Sequence, residues 1–504
     1  MAFGFASATS SMNVQADEAS STTALTIYST AQPGAISPDM YKPGNLGRGF
    51  ARQIPGYAVV KQERDINLPD AVSTIRFSDV AAQIDPTTVT FASLSDPDGT
   101  HVLEQNFQFD LVSTDKLMQR FIDRTISVEQ SLGDSIVTFS GTLLSTAGGL
   151  VLRQDDGTVQ VISGYSNVTF PELPGGLITR PTLVWQIATG EPGPHRARVT
   201  YQTAGTTWWA DYNLVFAEGE DANSGTLDIS AWASILNQSG ATYANAKLKL
   251  IAGDVHRAPQ PEMKMRAAGR GPYSDVSMGI AGFKEKSFFE YHLYTLGRPT
   301  TLPDNSTKQI ELFPPVLGAT CEKVLVYYGL ANRHWGYGAS AMTDRNYGIQ
   351  GNTKVDTYLQ FENSEANGMG MPLPAGRVRV SKLDPDDDSL EFIGEDVIDH
   401  TPKDETVLIK MGSAFDVVGE RKQIDFAVDT RRKTMDEEIE IKIRNHKDER
   451  VRVIVKENLY RWANWKIARK THAFQKTDSR TIHFPIDIKK DGEVTIRYTV
   501  HYSW

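Results

Sequence analysis

The chain has 504 residues, room for roughly two to four domains at ~100–200 residues each. A composition of 40% hydrophobic and 23% charged residues is that of a folded globular protein and excludes wholesale disorder. Lys+Arg 52 against Asp+Glu 62 leaves a net charge of −10, which argues against a dedicated nucleic-acid binder, and the single cysteine, Cys321, excludes an intrachain disulfide and any cysteine-rich metal site.

Residues 1–24 read as a signal-like or flexible arm. They lack a positive start, but Ala6-Ser7-Ala8 and Val14-Gln15-Ala16 have the small-x-Ala form that signal peptidase reads, so the expectation is the tail of a secretion signal. No run approaches the ~18–20 apolar residues of a membrane-crossing helix. Residues 25–113 form a first β region, opening on Leu25-Thr26-Ile27-Tyr28. Residues 114–175 read as a small inserted module. Within it, 114–122 predicts a short helix pairing Leu117 with Phe121 and Met118 with Ile122, capped by Ser113 or Thr114, and 150–162 predicts a hairpin turning at Asp155-Asp156-Gly157. Residues 176–361 form a central β domain carrying Trp185, Trp208, Trp209 and Trp232, with a small-residue and Pro-rich loop over 258–286.

Residues 362–504 read as a C-terminal β-sandwich. Segments 438–444 and 450–457 predict a hairpin turning through Asn445, His446 and Lys447, and 461–470 fits a short helix or a strand. The last eleven residues alternate throughout, with Val494, Ile496, Tyr498, Val500, Tyr502 and Trp504 on one face. The expected fold class is therefore mainly β: multi-domain β-sandwiches with a small inserted hairpin/helix module and a C-terminal all-β sandwich.

Several stretches resemble a family of bacterial exported proteins known as a domain of unknown function and often labelled mucoidy-inhibitor-like. They are SFFEYHLYTLGRPTTLPDNSTKQIELF at 287–313, TTWWADYNLVF at 206–216, WASILNQSGATYANAKLKLIAGDV at 232–255 and PLPAGRVRV at 372–380. The block 291–313, running from Tyr291 through Arg298-Pro299-Thr300-Thr301 to Lys308-Gln309, is the most specific part. The resemblance implies a mostly β, extracytoplasmic protein and supplies no catalytic residue or cofactor. Many relatives carry a coiled coil in the N-terminal half; this chain has no such heptad run.

No nucleophile elbow, zinc-protease pair, phosphate loop or dinucleotide fingerprint occurs. Cys321 lies among strand formers and reads as an inert buried thiol. Asp384, Asp386, Asp387 and Asp388 read as a solvated turn, with weak calcium binding as the alternative. Glu395, Asp396, Asp399, His400, Asp404 and Glu405 form a second acidic patch in which a carboxylate–histidine pair would need burial to do acid–base work. Glu290, His292 and Tyr294 share a face if 288–296 is a strand, and a Glu–His pair fixing that face is the expected role. Of Trp208 and Trp209, one ring is expected in the core and the other at the surface, where it could meet a protein or carbohydrate partner. These readings assign no catalytic, metal-binding or cofactor-binding residue. They predict an exported, periplasmic or cell-surface, non-enzymatic envelope protein with a scaffolding role and self-association or a protein partner. The alternatives are a metal-dependent hydrolase assembled around His292, His400 or His334, and an outer-membrane β-barrel, which the terminal strand ending in an aromatic residue suggests.

Overall fold

The structure, a computed structural model, describes residues 14–15, 21–29, 36–37, 40, 54–132, 135–253, 283–288, 291–330, 340–349, 351–384 and 386–504. Ala6-Ser7-Ala8, Ala16, Glu290, His334 and most of the 258–286 loop, on which expectations above rest, lie outside the described residues. The chain is mainly β, with one α-helix, Thr114–Arg120, among the described residues.

The N-terminal part is a two-layer sandwich. One sheet runs from Ile84–Ser93 through Gly193–Thr203, Tyr57–Leu68, Thr22–Tyr28, Tyr243–Ala252 and Tyr291–Leu296 to Phe283–Phe288; the other orders Val14–Gln15, Val72–Ser78, Thr182–Ala188 and His101–Gln108. Period-two patterning places Ala58, Val60, Ile66 and Leu68 in the core. Trp185 joins the layers, its ring 5.3 Å from Phe77 and 5.4 Å from Phe91.

Between His101–Gln108 and Thr182–Ala188 the chain leaves this sandwich to build a five-stranded antiparallel sheet, ordered Val159–Ile162, Leu150–Arg153, Ser135–Ser145, Thr125–Leu132, Asn167–Thr169. The helix covers one face of it, so Met118 and Phe121 bury against Ile126, Val128, Leu143, Leu150, Leu152 and Ile162 in a core of their own. Ser113 caps the helix, its hydroxyl accepting from Lys116 N at 3.3 Å. The 150–162 hairpin turns at Asp156-Gly157, with Gly157 at φ +86° and Asp156 Oδ1 accepting from Thr158 N at 2.8 Å.

Downstream, seven strands curl round until the first and last meet: Leu390–Ile398, Gly376–Leu383, Thr206–Glu218, Ser224–Asn237, Ser306–Tyr328, Lys354–Glu362 and the first half of Thr406–Asp429. Ala210, Tyr212, Leu214 and Phe216 face the interior with Val378, Val380, Val407 and Ile409. The long strands 306–328 and 406–429 then leave this barrel and enter the C-terminal sandwich. There one sheet is the rest of 406–429 with Thr434–Asn445, Glu493–Ser503 and Trp465–Lys470; the other is the end of 306–328 with Val451–Asn458, Thr481–Ile488 and Gln475–Lys476. The terminal strand buries Ile496, Tyr498, Val500 and Tyr502 in the core between the two sheets.

One local expectation is corrected and one open choice is decided. Strands 434–445 and 451–458 do not form a hairpin; they belong to opposite layers, paired with 493–503 and 481–488 respectively. Asn445 steers the crossing, its Nδ2 donating to Glu449 O at 2.8 Å and Lys489 O at 3.0 Å, which ties the chain to the facing layer instead of closing a turn. Residues 465–470 form a strand and not a helix, because Trp465 and Ile467 pack against the sandwich core on one side.

Candidate functional site

The barrel closes at a seam without a main-chain ladder. Strands 390–398 and 406–429 approach closely enough that a Cβ at Gly394 would lie 3.0 Å from Met411 O. The joining contact is a side chain: Asp396 Oδ2 accepts from Lys410 N at 2.6 Å. At one end of this seam, beside the exposed Asp386–Asp388 turn, large apolar side chains stand open to water. Leu383 and Leu390 are directly paired across the hairpin, and Phe392 follows two residues on at 62% exposure. Phe415 stands four residues past the contact point at Met411, on the same side as Leu390, and is 94% exposed. Large rings so open to water mark contact surfaces.

A polar row crosses the outer face of the same barrel. Gln309 Nε2 donates to Ser234 Oγ at 3.0 Å, and Ser234 Oγ and Trp209 Nε1 donate to Asp211 Oδ2 at 2.6 and 2.7 Å. Arg379 follows, 3.6 Å from Asp211 and donating from Nε to Glu395 Oε2 at 3.0 Å. Trp209 is thus half-buried and engaged, whereas Trp208 is core, donating to Ile251 O at 3.0 Å with its ring edge-on to Tyr294.

The residues singled out in the sequence are distributed as follows. Asp384, Asp386, Asp387 and Asp388 make a turn in which two of the carboxylates hold its own backbone, Asp384 Oδ1 accepting from Asp386 N and Asp387 Oδ1 from Ser389 N. The hydroxyl and amide of Ser389 hold the Asp387 carboxyl below its ordinary range. Asp396 serves the seam, and His400 Nδ1 accepts from Ala375 N at 3.0 Å. Asp404 takes a left-handed turn position at φ +61°. His292 pairs with Glu285 of the neighbouring strand, Nδ1 to Oε1 2.7 Å. Tyr294 is buried and donates to Pro372 O at 2.9 Å. Burial pushes the Cys321 thiol up to about 11, so it is protonated at neutral pH. Among the described residues no three His, Cys, Asp or Glu converge as a metal group.

One cluster escaped the sequence reading. In the C-terminal sandwich Arg421 Nε donates to Glu457 Oε2 at 2.9 Å, and Tyr498 donates its hydroxyl to the same oxygen. Beside it, Glu437 Oε1 accepts from Arg461 Nη2 at 2.9 Å and from Gln423 Nε2 at 2.9 Å. Arg461 also holds the 342–347 loop, donating to the carbonyls of Met342, Asp344 and Tyr347. Burial opposes the charge on Arg421, and the Glu457 carboxylate outweighs it, so the guanidinium is held above its ordinary range. Burial raises Tyr498 in turn, which keeps it a donor. A signal for three of these existed: Glu437, Glu457 and Arg421 share the period-two register of Ile439, Val455 and Val417, placing charge on an apolar strand face. Arg461 has no such mark. Isolated buried pairs tend to fix register more than they stabilise, and this cluster ties both layers and a loop into one arrangement.

A family model described as "Domain of unknown function (DUF4139)" matches residues 197–504, which takes in the barrel and the C-terminal sandwich. No curated protein and no solved structure matches the chain.

Proposed function

The chain belongs to the DUF4139 family, and from that premise we propose that it is an exported, non-enzymatic protein of the bacterial envelope that works by contact with other proteins, copies of itself included. The observation that carries this reading is the apolar rim of Leu383, Leu390, Phe392 and Phe415 at the end of the barrel seam, open to water and built on a closed barrel. Exposed apolar residues grouped in this way are what a protein partner buries. Two acids of the same hairpin and the histidine just past it support the reading from the other side: Asp396, Glu395 and His400 are engaged in seam, strand and loop contacts. The resemblance of 287–313 and 372–380 to exported proteins labelled mucoidy-inhibitor-like, and the small-x-Ala forms near the start, support export to the periplasm or cell surface.

The test is the native mass of the particle from cells broken without detergent, by size-exclusion chromatography with light scattering and metal analysis of the same peak. The expected result is a metal-free assembly, of this 55.8 kDa chain with itself or with a second protein. A monomer carrying stoichiometric zinc or calcium, or a protein recovered only in detergent, overturns the proposal. Phe392→Asp combined with Phe415→Asp is expected to break the contact with a second protein while leaving the unfolding midpoint unchanged, since both rings are solvent-exposed.

A further inference from the structure

We propose that the edge strand Val159–Ile162 of the inserted module pairs antiparallel with the same strand of a second copy across a two-fold axis, joining the two five-stranded sheets into one. The inference rests on the contact reading above and names one of its partners.

Sheet edges expose unpaired N–H and C=O groups, and proteins guard them with charge or proline. Among the described residues, every other edge strand longer than three residues is guarded. His101–Gln108 carries Glu104, Ile84–Ser93 carries Asp85 and Pro86, Phe283–Phe288 carries two lysines and a glutamate, and Trp465–Lys470 carries three bases, while Leu390–Ile398 is covered across the seam by 406–429. Among the described residues Val159–Ile162 ends its sheet, pairs only with Leu150–Arg153, and has no guard. The run TVQVISGYS over 158–166 contains neither a charged residue nor a proline. High β-propensity with no charge is the composition that pairs with itself.

The hydrogen-bond parity fixes which groups are open. Gln154 N donates to Thr158 O at 2.9 Å, so Thr158, Gln160 and Ile162 turn their main-chain groups toward 150–153, and Val159 and Val161 turn theirs outward. A two-fold axis perpendicular to the sheet keeps each face on its own side, so only residues of equal parity can be opposed. Centred on Gln160, the register places Val159 opposite Val161 of the second copy, where both open pairs exchange about four main-chain hydrogen bonds. The valine side chains, Val161 at 61% exposed, then pair on the face away from the helix. The Asp155-Asp156 turns fall at opposite ends of the joint, roughly 26 Å apart at ~3.3 Å per residue, so their charges do not oppose it.

The experiment uses the full chain in sedimentation velocity over a concentration series, with three variants and metal analysis of the main peak. Val161→Lys guards the open edge at an exposed position and is expected to weaken self-association roughly tenfold or more. Thr138→Lys adds the same charge to an interior strand of the sheet and is expected to leave it unchanged. Gln160→Cys is expected to form an interchain disulfide on mild oxidation, because residues facing each other at a non-hydrogen-bonded pair have Cα atoms ~4.5 Å apart, and the native Cys321 is buried. If the wild type assembles but Val161→Lys assembles equally well, or Gln160→Cys does not cross-link, the pairing is wrong and the contact reading stands. A wild-type monomer overturns the pairing; a monomer with stoichiometric metal overturns the contact reading as well.

Discussion

Glu457 has one oxygen held by Arg421 and Tyr498 and a second, Oε1, with no hydrogen-bond partner among the described residues; Arg421 Nη1 and Tyr502 Oη are buried in the same state. The pair is almost fully buried, at 2% and 0% side-chain exposure, so removing one charge strands the other. Glu457→Gln should therefore cost about 3–5 kcal/mol, read as a lowered urea midpoint. Arg421→Met together with Glu457→Leu should recover most of that loss, because neither charge is then left alone. Gly329 explains part of the arrangement: a Cβ there would meet Glu457 Oε1 at 2.0 Å and Arg421 Cδ at 2.6 Å. Another residue of this sandwich makes its stability depend on pH. Burial, then the Lys456 ammonium, holds the His483 imidazole below its ordinary range. The unfolded chain consequently takes up the proton first as pH falls. The contribution of neutral His483 is complete above about pH 6.5, the unfolded value, and is lost as pH falls from there through the lower folded value. The urea midpoint of His483→Gln should fall less than that of wild type between about pH 7.5 and about pH 5; equal slopes would show that the imidazole does not contribute.

At the scale of elements, the seam is where a single residue substitutes for a ladder. Lys410 N has Asp396 as its acceptor across the seam, and Asp396→Ala leaves that amide unsatisfied at a cost of about 1–3 kcal/mol. The sharper measurement is amide exchange: Lys410 should lose protection while Ile409, whose side chain is buried in the barrel core, keeps it. The same scale shows why some pairings could be read in advance and others could not. The helix near 114–120 and the 150–162 hairpin are local, since cap, turn residues and apolar spacing all lie within a dozen positions. Strands 434–445 and 451–458 have equally clean alternation and a polar connection between them, yet they lie in different layers. Alternation reports that a strand has one buried face; it carries no information about which neighbour supplies the hydrogen bonds. The two longest strands, Ser306–Tyr328 and Thr406–Asp429, were likewise hidden, because Pro314-Pro315 and Gly412 look like breaks in sequence and are accommodated in the structure by register shifts.

For the whole molecule, the β class was legible because it is written in every strand, whereas the candidate contact rim was not. Leu390 and Phe392 are ordinary strand residues in sequence, and their exposure follows from their place at the open end of the hairpin with Gly376–Leu383, where both faces of the strand meet water. The inserted module is the part whose independence can be tested directly. Its two connections meet: Val112 N donates to Ile178 O at 2.9 Å, and Ile178 N to Asp110 O at 3.0 Å. Its core around Met118 and Phe121 is separate from the one that contains Trp185 and the barrel interior. Replacing residues 112–177 by a linker of about four glycine and serine residues therefore removes no buried side chain of the larger core, and closing so short a loop costs little entropy. The shortened chain should unfold with the same tryptophan fluorescence transition as the full chain, because every tryptophan lies outside the excised segment. It should also sediment as a monomer under conditions where the full chain self-associates, since the Val159–Ile162 edge leaves with the module. A shortened chain that folds and still dimerises would move the self-contact to the barrel rim, and the Phe392→Asp, Phe415→Asp pair would then be the variant that dissociates it.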